Sequence, residues 1–219
     1  MKNRMKNWTK NHILNIDTYI INLIWHIDRW DKLRDYFINI GISPHRYSGI
    51  LSSIDDYNNS TYHCSYVEYN CMIAHQKILS NLKKASLIFE DDIIPLKSIN
   101  RDTIYDIIKL NKYDMILFGS SQYYKHSNSN YIANKWTYGA FAYYITPKMA
   151  NIILQKMQEH VMPIDIIFCE HIYPNYDVLV VKPDLFIADV SNSDIRGIRD
   201  ATKYAEKVNW DLSAYGFIK

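Results

Sequence analysis

Ser86-Leu87-Ile88-Phe89-Glu90-Asp91-Asp92-Ile93 is the stretch on which the reading of this chain turns. A short apolar run leads straight into three consecutive carboxylates. An apolar run of this length without alternation predicts a strand buried on both faces of a parallel sheet. The acids cannot follow it into the core, because an unpaired buried carboxylate costs more than packing returns. They are expected at the carboxyl end of the strand, where open α/β sheets place their ligands. Adjacent carboxylates raise each other's pKa unless a cation neutralises them. A hard divalent cation, its shell completed by phosphate oxygens, answers that need. The bland alternative is a solvated acidic loop.

Outward from this strand, elements alternate. Thr18-Tyr19-Ile20-Ile21-Asn22-Leu23 reads as a first strand. Trp30, Leu33, Phe37 and Ile40 recur at helical spacing up to Gly41. Ser43 to Ile50 reads as a short strand and Asp55 to Ser60 as a polar loop. Val67, Cys71, Ala74, Ile78 and Leu82 mark a second helix. After the acidic strand, Ile104, Ile107 and Ile108 suggest a third helix with Asp102 as its cap. Asp114 to Phe118 is another buried strand, and Ser120 to Lys135 reads as a long exposed loop that orders over a ligand. Phe141 to Ile145 is a strand, and Thr146-Pro147 opens a helix reaching about Val161. Pro163 starts a short helix, and Val178 to Val181 is a last strand. From Asp184 the signal fades into a polar tail. This predicts one α/β domain over residues 18–200, with a largely parallel central sheet flanked by helices. A basic polar segment (1–17) precedes it and a tail (201–219) follows.

At 219 residues the chain can bury a real core. A net charge of +2 gives no global drive toward nucleic acid or anionic membrane. Lys2, Arg4, Lys6 and Lys10 are not followed by the apolar core of a secretory signal, and no run approaches the ~18 apolar residues of a membrane span. Cys64, Cys71 and Cys169 form no CxxC pair, and their odd number suits a reducing compartment. A soluble, cytoplasmic protein is expected. The 19 tyrosines accompany an excess of Asn, Ile and Lys, as codon bias in an AT-rich genome produces, and do not by themselves point to a sugar ligand.

The order and spacing of several short motifs resemble glycosyltransferase family 25, which includes lipooligosaccharide and collagen galactosyltransferases. The resemblance spans about Tyr19 to Arg196. It rests on Ile21-Asn22-Leu23 with Asp28-Arg29-Trp30, on Cys71-Met72-Ile73-Ala74-His75, and on Leu87-Ile88-Phe89-Glu90-Asp91-Asp92. Tyr113-Asp114, Gly139-Ala140, Tyr143-Tyr144-Ile145-Thr146 and Pro163-Ile164-Asp165 complete it. Ala74 departs from the serine that family commonly has before the motif histidine. The resemblance implies a GT-A type fold and transfer of a hexose, with inversion, from a UDP-sugar to an acceptor hydroxyl on a glycan or hydroxylated side chain. It usually implies Mn²⁺.

On that reading Asp92 is the leading metal ligand, with Glu90 and, from the C-terminal region, Asp189; Asp194 stands behind Asp189. Glu90 or Asp91 can instead reach the ribose hydroxyls. Asn22 and Leu23, ending the first strand, are placed to contact the nucleotide with their backbone. Arg29 can meet a phosphate with its planar fork, or simply pair with Asp28 or Asp31. His75 lines the donor pocket or is a satisfied structural histidine, and Arg196 supports the diphosphate. Asp165 is the candidate general base, with Glu170 in reserve; an acid two residues after a proline is also good helix-start chemistry. Two other classes compete with transfer. Clustered acids after a strand also suit a metal-dependent phosphohydrolase or nuclease, and a catalytically silent nucleotide-sugar-binding relative would keep the same motifs.

Overall fold

The computed structural model describes residues 16–49, 52–60, 62, 64–123, 127–195 and 197–216. The first half runs β1 (Asp17–Asn22), α1 (Ile27–Asn39), β2 (His45–Ser48), α2 (Ile54–Asn58), α3 (Tyr66–Asn81), β3 (Ser86–Glu90), β4 (Ile93–Pro95) and α4 (Arg101–Asn111). There follow β5 (Met115–Leu117), β6 (Ser121–Gln122), β7 (Tyr131–Ile132), β8 (Thr137–Tyr138) and β9 (Ala142–Ile145). The rest is α5 (Pro147–Glu159), α6 (Ile164–Ile167), β10 (Leu179–Val180), β11 (Phe186–Ala188) and α7 (Ala201–Val208). A π-helical turn, Phe168–Ile172, continues α6.

A seven-stranded sheet in the order β2-β1-β3-β9-β5-β10-β7 divides one mixed α/β domain. The pairs β1/β2, β1/β3 and β5/β10 are parallel, while β9 runs antiparallel between β3 and β5, and β7 antiparallel beside β10. Seven strands less β9 and β7 leave five pointing the same way, so the sheet is mostly parallel, as expected. The exception has a local cause. Among the described residues no helix lies between β5 and β9, so the chain returns without the crossover that a parallel neighbour requires.

The lack of alternation in β3 is explained by its two buried faces. Leu87 and Phe89 belong to the same apolar cluster as Leu33 and Phe37 of α1 and Ile104 and Ile108 of α4. The Phe37 and Phe89 ring centroids lie 4.7 Å apart. Ile88, between them, joins the opposite cluster with Ile78 of α3, Ile153 of α5 and Ile167 of α6. A truncation such as Phe89→Ala would cost about 3–5 kcal/mol. The helix starts follow side-chain chemistry. Ser65 and Glu68 form a reciprocal capping box on α3, and Thr146 accepts from the Met149 N–H at 3.4 Å, with Pro147 in the first turn of α5.

Four sequence expectations change. Asn100, not Asp102, caps α4: its extended backbone precedes the helix and its Oδ1 accepts from the Thr103 N–H at 2.9 Å, whereas Asp102 lies in the first turn. Asp55 to Ser60 is partly α2, nucleated by a Ser53–Asp56 capping box too short to leave a periodic signal. Ser120 to Lys135 is not a single exposed loop. Ser120, Ser121 and Gln122 are buried, β6 pairs with β8 and β7 with β10, while 124–126 lie outside the described residues. Polar side chains there conceal strands held by backbone pairing. The expected polar tail also folds. β11 pairs with β4, and Ala205, Val208, Trp210 and Tyr215 enter the core. Two apolar anchors on an eight-residue helix are too few to show as periodicity. Among the described residues no helix is long and apolar enough to cross a membrane.

Candidate functional site

Parallel pairing of β1 with β3 sets Ile21 opposite Glu90, so both strands end at one place. The buried Asn22 then donates its Nδ2 to Asp91 Oδ2 at 2.6 Å and to the His26 carbonyl at 2.9 Å. Its own carbonyl accepts from the Gly49 N–H, and its Oδ1 accepts from Arg46 Nε at 2.8 Å. Asn22 is thus tied into the protein on every side and acts on the site by holding Asp91. Leu23 lies at the strand end and lines a cavity. Arg29, on the first turn of α1, reaches Asp91 at 3.2 Å and Asp194 at 3.0 Å. His26 also meets Asp194, at 3.2 Å.

The C-terminal acid arrives through β11. The register Ala188 to Ile93 brings the following residue alongside the acidic turn, and the Asp189 N–H donates to the Asp92 carbonyl at 2.6 Å. The Asp189 carboxylate accepts from the Ser191 N–H and hydroxyl, the turn chemistry that the sequence also allowed. Asp92 is half-buried, yet its Oδ1 is sealed from solvent and has no hydrogen-bond partner among the described residues. Burial pushes the Asp92 carboxyl well above the usual carboxylate range, and the charges of Glu90, Asp91 and Asp189 push it the same way. Arg29 offsets part of this. Burial raises Asp91 too, against the pull of Arg29 and Asn22. A sealed carboxylate oxygen with no donor, among further carboxylates, fits a hard divalent cation.

Glu90 turns the other way, onto α3. Cys71, His75 and Glu90 each offer a ligand atom within 4.8 Å of one another, a group that can hold a metal. In the conformation described, His75 is fully buried and engaged at both nitrogens: Nδ1 with the Tyr143 hydroxyl at 2.8 Å and Nε2 with Glu90 at 3.1 Å. Burial pushes the Cys71 thiol well up, and Glu90 adds to it. A protonated thiol beside an imidazole already bonded at both ends makes a hydrogen-bonded support for Glu90. Mn²⁺ favours oxygen ligands over thiol and imidazole, and among the described residues no three carboxylates bring their ligand atoms that close together.

Two cavities meet at the acidic turn, both lined by Cys71, Glu90, Asp92, Ser193 and Ile195. One, about 270 Å³, opens between α1 and α3 and takes in Leu23, Trp25, Arg29 and Asp91. The other, about 360 Å³, reaches Asp165 at the start of α6, where the Asp165 carboxylate also accepts from the Ile166 N–H at 3.0 Å. Glu170 is exposed on the π-helical turn and lines neither cavity. Arg196 lies outside the described residues. Arg199, three residues on, lines the larger cavity with its guanidinium 4.6 Å from the Tyr204 ring centroid. Its Nε is buried and has no acceptor among the described residues. Sequence reasoning missed Arg199, which follows no periodic pattern; an arginine near the acidic C-terminal run was the one available signal.

No protein-family model matches the chain, and no curated protein matches it either. The resemblance to family 25 therefore rests on its short motifs. Solved structures do match. The fold is similar to the crystal structure of a glycosyltransferase involved in the glycosylation of the major capsid of PBCV-1. That similarity has a TM-score of 0.52 at 10% sequence identity, and covers 87% of this chain and 98% of the other. The chain thus has a fold that a glycosyltransferase uses.

Proposed function

We propose that this protein is a metal-dependent, inverting glycosyltransferase that moves a hexose from a UDP-sugar to an acceptor hydroxyl on a glycan or hydroxylated side chain. The observation that carries the reading is the sealed Asp92 Oδ1, without a partner among the described residues, in a cluster of carboxylates where two cavities meet. The fold shared with a glycosyltransferase and the family 25 motifs support it from separate directions.

Asp92 and Glu90, with Asp189, are the ligands assigned to Mn²⁺. When bound, the cation neutralises the leaving diphosphate. Asp91, fixed by Asn22 and Arg29, faces the cavity between α1 and α3, which suits the nucleoside. Leu23 lines that cavity, and Arg29 keeps its charge close to the phosphates. His75 and Tyr143 hold Glu90 in orientation. Arg199, with a buried donor lacking an acceptor among the described residues, is assigned to the diphosphate. Arg196 remains a second candidate from the motif. Asp165 lies across the larger cavity and is assigned as the base that takes the acceptor proton as the oxygen attacks.

The test is incubation with Mn²⁺ and, separately, UDP-glucose, UDP-galactose and UDP-N-acetylhexosamines, reading free UDP and inorganic phosphate. Metal-dependent release of UDP without phosphate is expected. Phosphate release from varied esters would instead identify a phosphohydrolase. UDP binding with no turnover on any donor would identify a silent relative.

A further inference from the structure

Strand β6 stands between two cavities. Ser121 and Tyr123 line the one that contains Asp165, and Gln122 lines another of about 570 Å³. Successive residues of a strand face opposite sides, so this short segment serves both. None of Glu90, Asp91 and Asp92 borders the second cavity. Its volume lies within the ~300–1,000 Å³ common for small-molecule sites.

Gln122 is 2% exposed, and its Oε1 has no hydrogen-bond partner among the described residues. A buried acceptor left unsatisfied costs about 1–3 kcal/mol, and because Gln122 lines this cavity a small side-chain adjustment would offer that oxygen to a donor from outside the chain. The charges around it restrict what that donor can belong to. Lys182 forms a buried ion pair with Asp184, so its positive charge is already neutralised. Glu206 and Asp211, both exposed, add negative charge at the edge. This disfavours phosphates and carboxylates. Trp210 and Tyr215 contribute aromatic wall. A ligand that suits acceptors plus aromatic surface carries several hydroxyl donors and apolar C–H faces, and has no negative charge.

We propose that this cavity is a second, saccharide-binding site, taking a mono- or disaccharide unit of a neutral glycan whose hydroxyl donates to Gln122 Oε1. The assignment stands on the chemistry of the cavity and requires no transfer reaction.

Saturation-transfer difference NMR on the full chain tests it, with lactose, maltose, cellobiose and N,N′-diacetylchitobiose as probes, each with and without saturating UDP and Mn²⁺. At least one disaccharide should bind, and UDP should not displace it. Gln122→Leu is close in size and removes the acceptor, so affinity should fall about tenfold, the loss of roughly one hydrogen bond. Glu206→Ala on the exposed face of α7 supplies a second variant that does not touch the core, and it should weaken binding by a few-fold. Asp92→Asn should bind the disaccharide as wild type does, which separates this site from the proposed transfer centre. No binding by any probe, displacement by UDP, or equal affinity in wild type and both variants would overturn the proposal. Such a result would leave the cavity to water.

Discussion

Asp92→Asn should make the metal-free protein more stable and the loaded protein less so. Without a cation, the wild-type carboxylate has a sealed Oδ1 with no partner and stands beside Glu90, Asp91 and Asp189. Asparagine keeps the shape, removes the charge, and relieves that repulsion. The sealed position has no partner among the described residues with either side chain, so the gain is the relief of repulsion alone, about 1–2 kcal/mol for like charges a few ångströms apart and partly solvated. In a domain of this size that is a rise in Tm of about 2–8 °C. With UDP present and Mn²⁺ at about a hundred times its dissociation constant, wild type gains about 2.7 kcal/mol by linkage to the cation alone. A variant lacking the central ligand should gain little of it. The order of stability therefore reverses between chelated and loaded samples. Thermal unfolding in EDTA and in Mn²⁺ with UDP reads the crossover, and turnover with the active donor should fall to background. A lower Tm for the variant in EDTA would refute the electrostatic argument. Undiminished turnover, by the variant or by wild type in excess chelator, would refute the metal-dependent mechanism.

Asp165→Asn should lower kcat by orders of magnitude while leaving UDP affinity within about twofold; transfer within a few-fold of wild type would make Asp165 a helix-start residue and place the base elsewhere. Arg199→Ala should weaken UDP binding about tenfold or more, measured by calorimetry with Mn²⁺ present, as expected for loss of a charge-assisted contact; unchanged affinity would remove it from the diphosphate. Burial raises the Asp184 carboxyl to about 6, above its ordinary 3.8, even with Lys182 beside it. The folded state then holds that proton more tightly than the unfolded chain. This contribution is fully present below about pH 4 and is lost as pH rises through 6, a change of about 3 kcal/mol. The difference in unfolding free energy between wild type and Asp184→Asn, followed by urea titration from pH 4 to 7, should therefore move against wild type. A flat difference would refute the raised pKa.

The strand-to-acid transition at Ser86–Asp92 was legible because one local rule covers it: apolar residues with no alternation need two covered faces, and carboxylates cannot share them. The helices α1, α3 and α5 were legible for a similar reason, each carrying enough apolar anchors or a clear capping residue. The same local rules were silent on β6, β7, β11 and α7, where two or three residues fix each element and backbone pairing with distant partners does the rest. The site divides along this line. Residue chemistry along the chain was sufficient to single out Glu90, Asp91 and Asp92 as crowded carboxylates at a strand end. It could not place Asp189 against Asp92, since that contact comes from the register of β11 on β4. Nor could it show that Arg29 reaches Asp91 and Asp194, or that Arg199 and Gln122, which line cavities, each carry a buried polar atom with no partner among the described residues. Charge and hydrophobicity are properties of a segment, whereas an unpartnered atom is a property of everything packed around it.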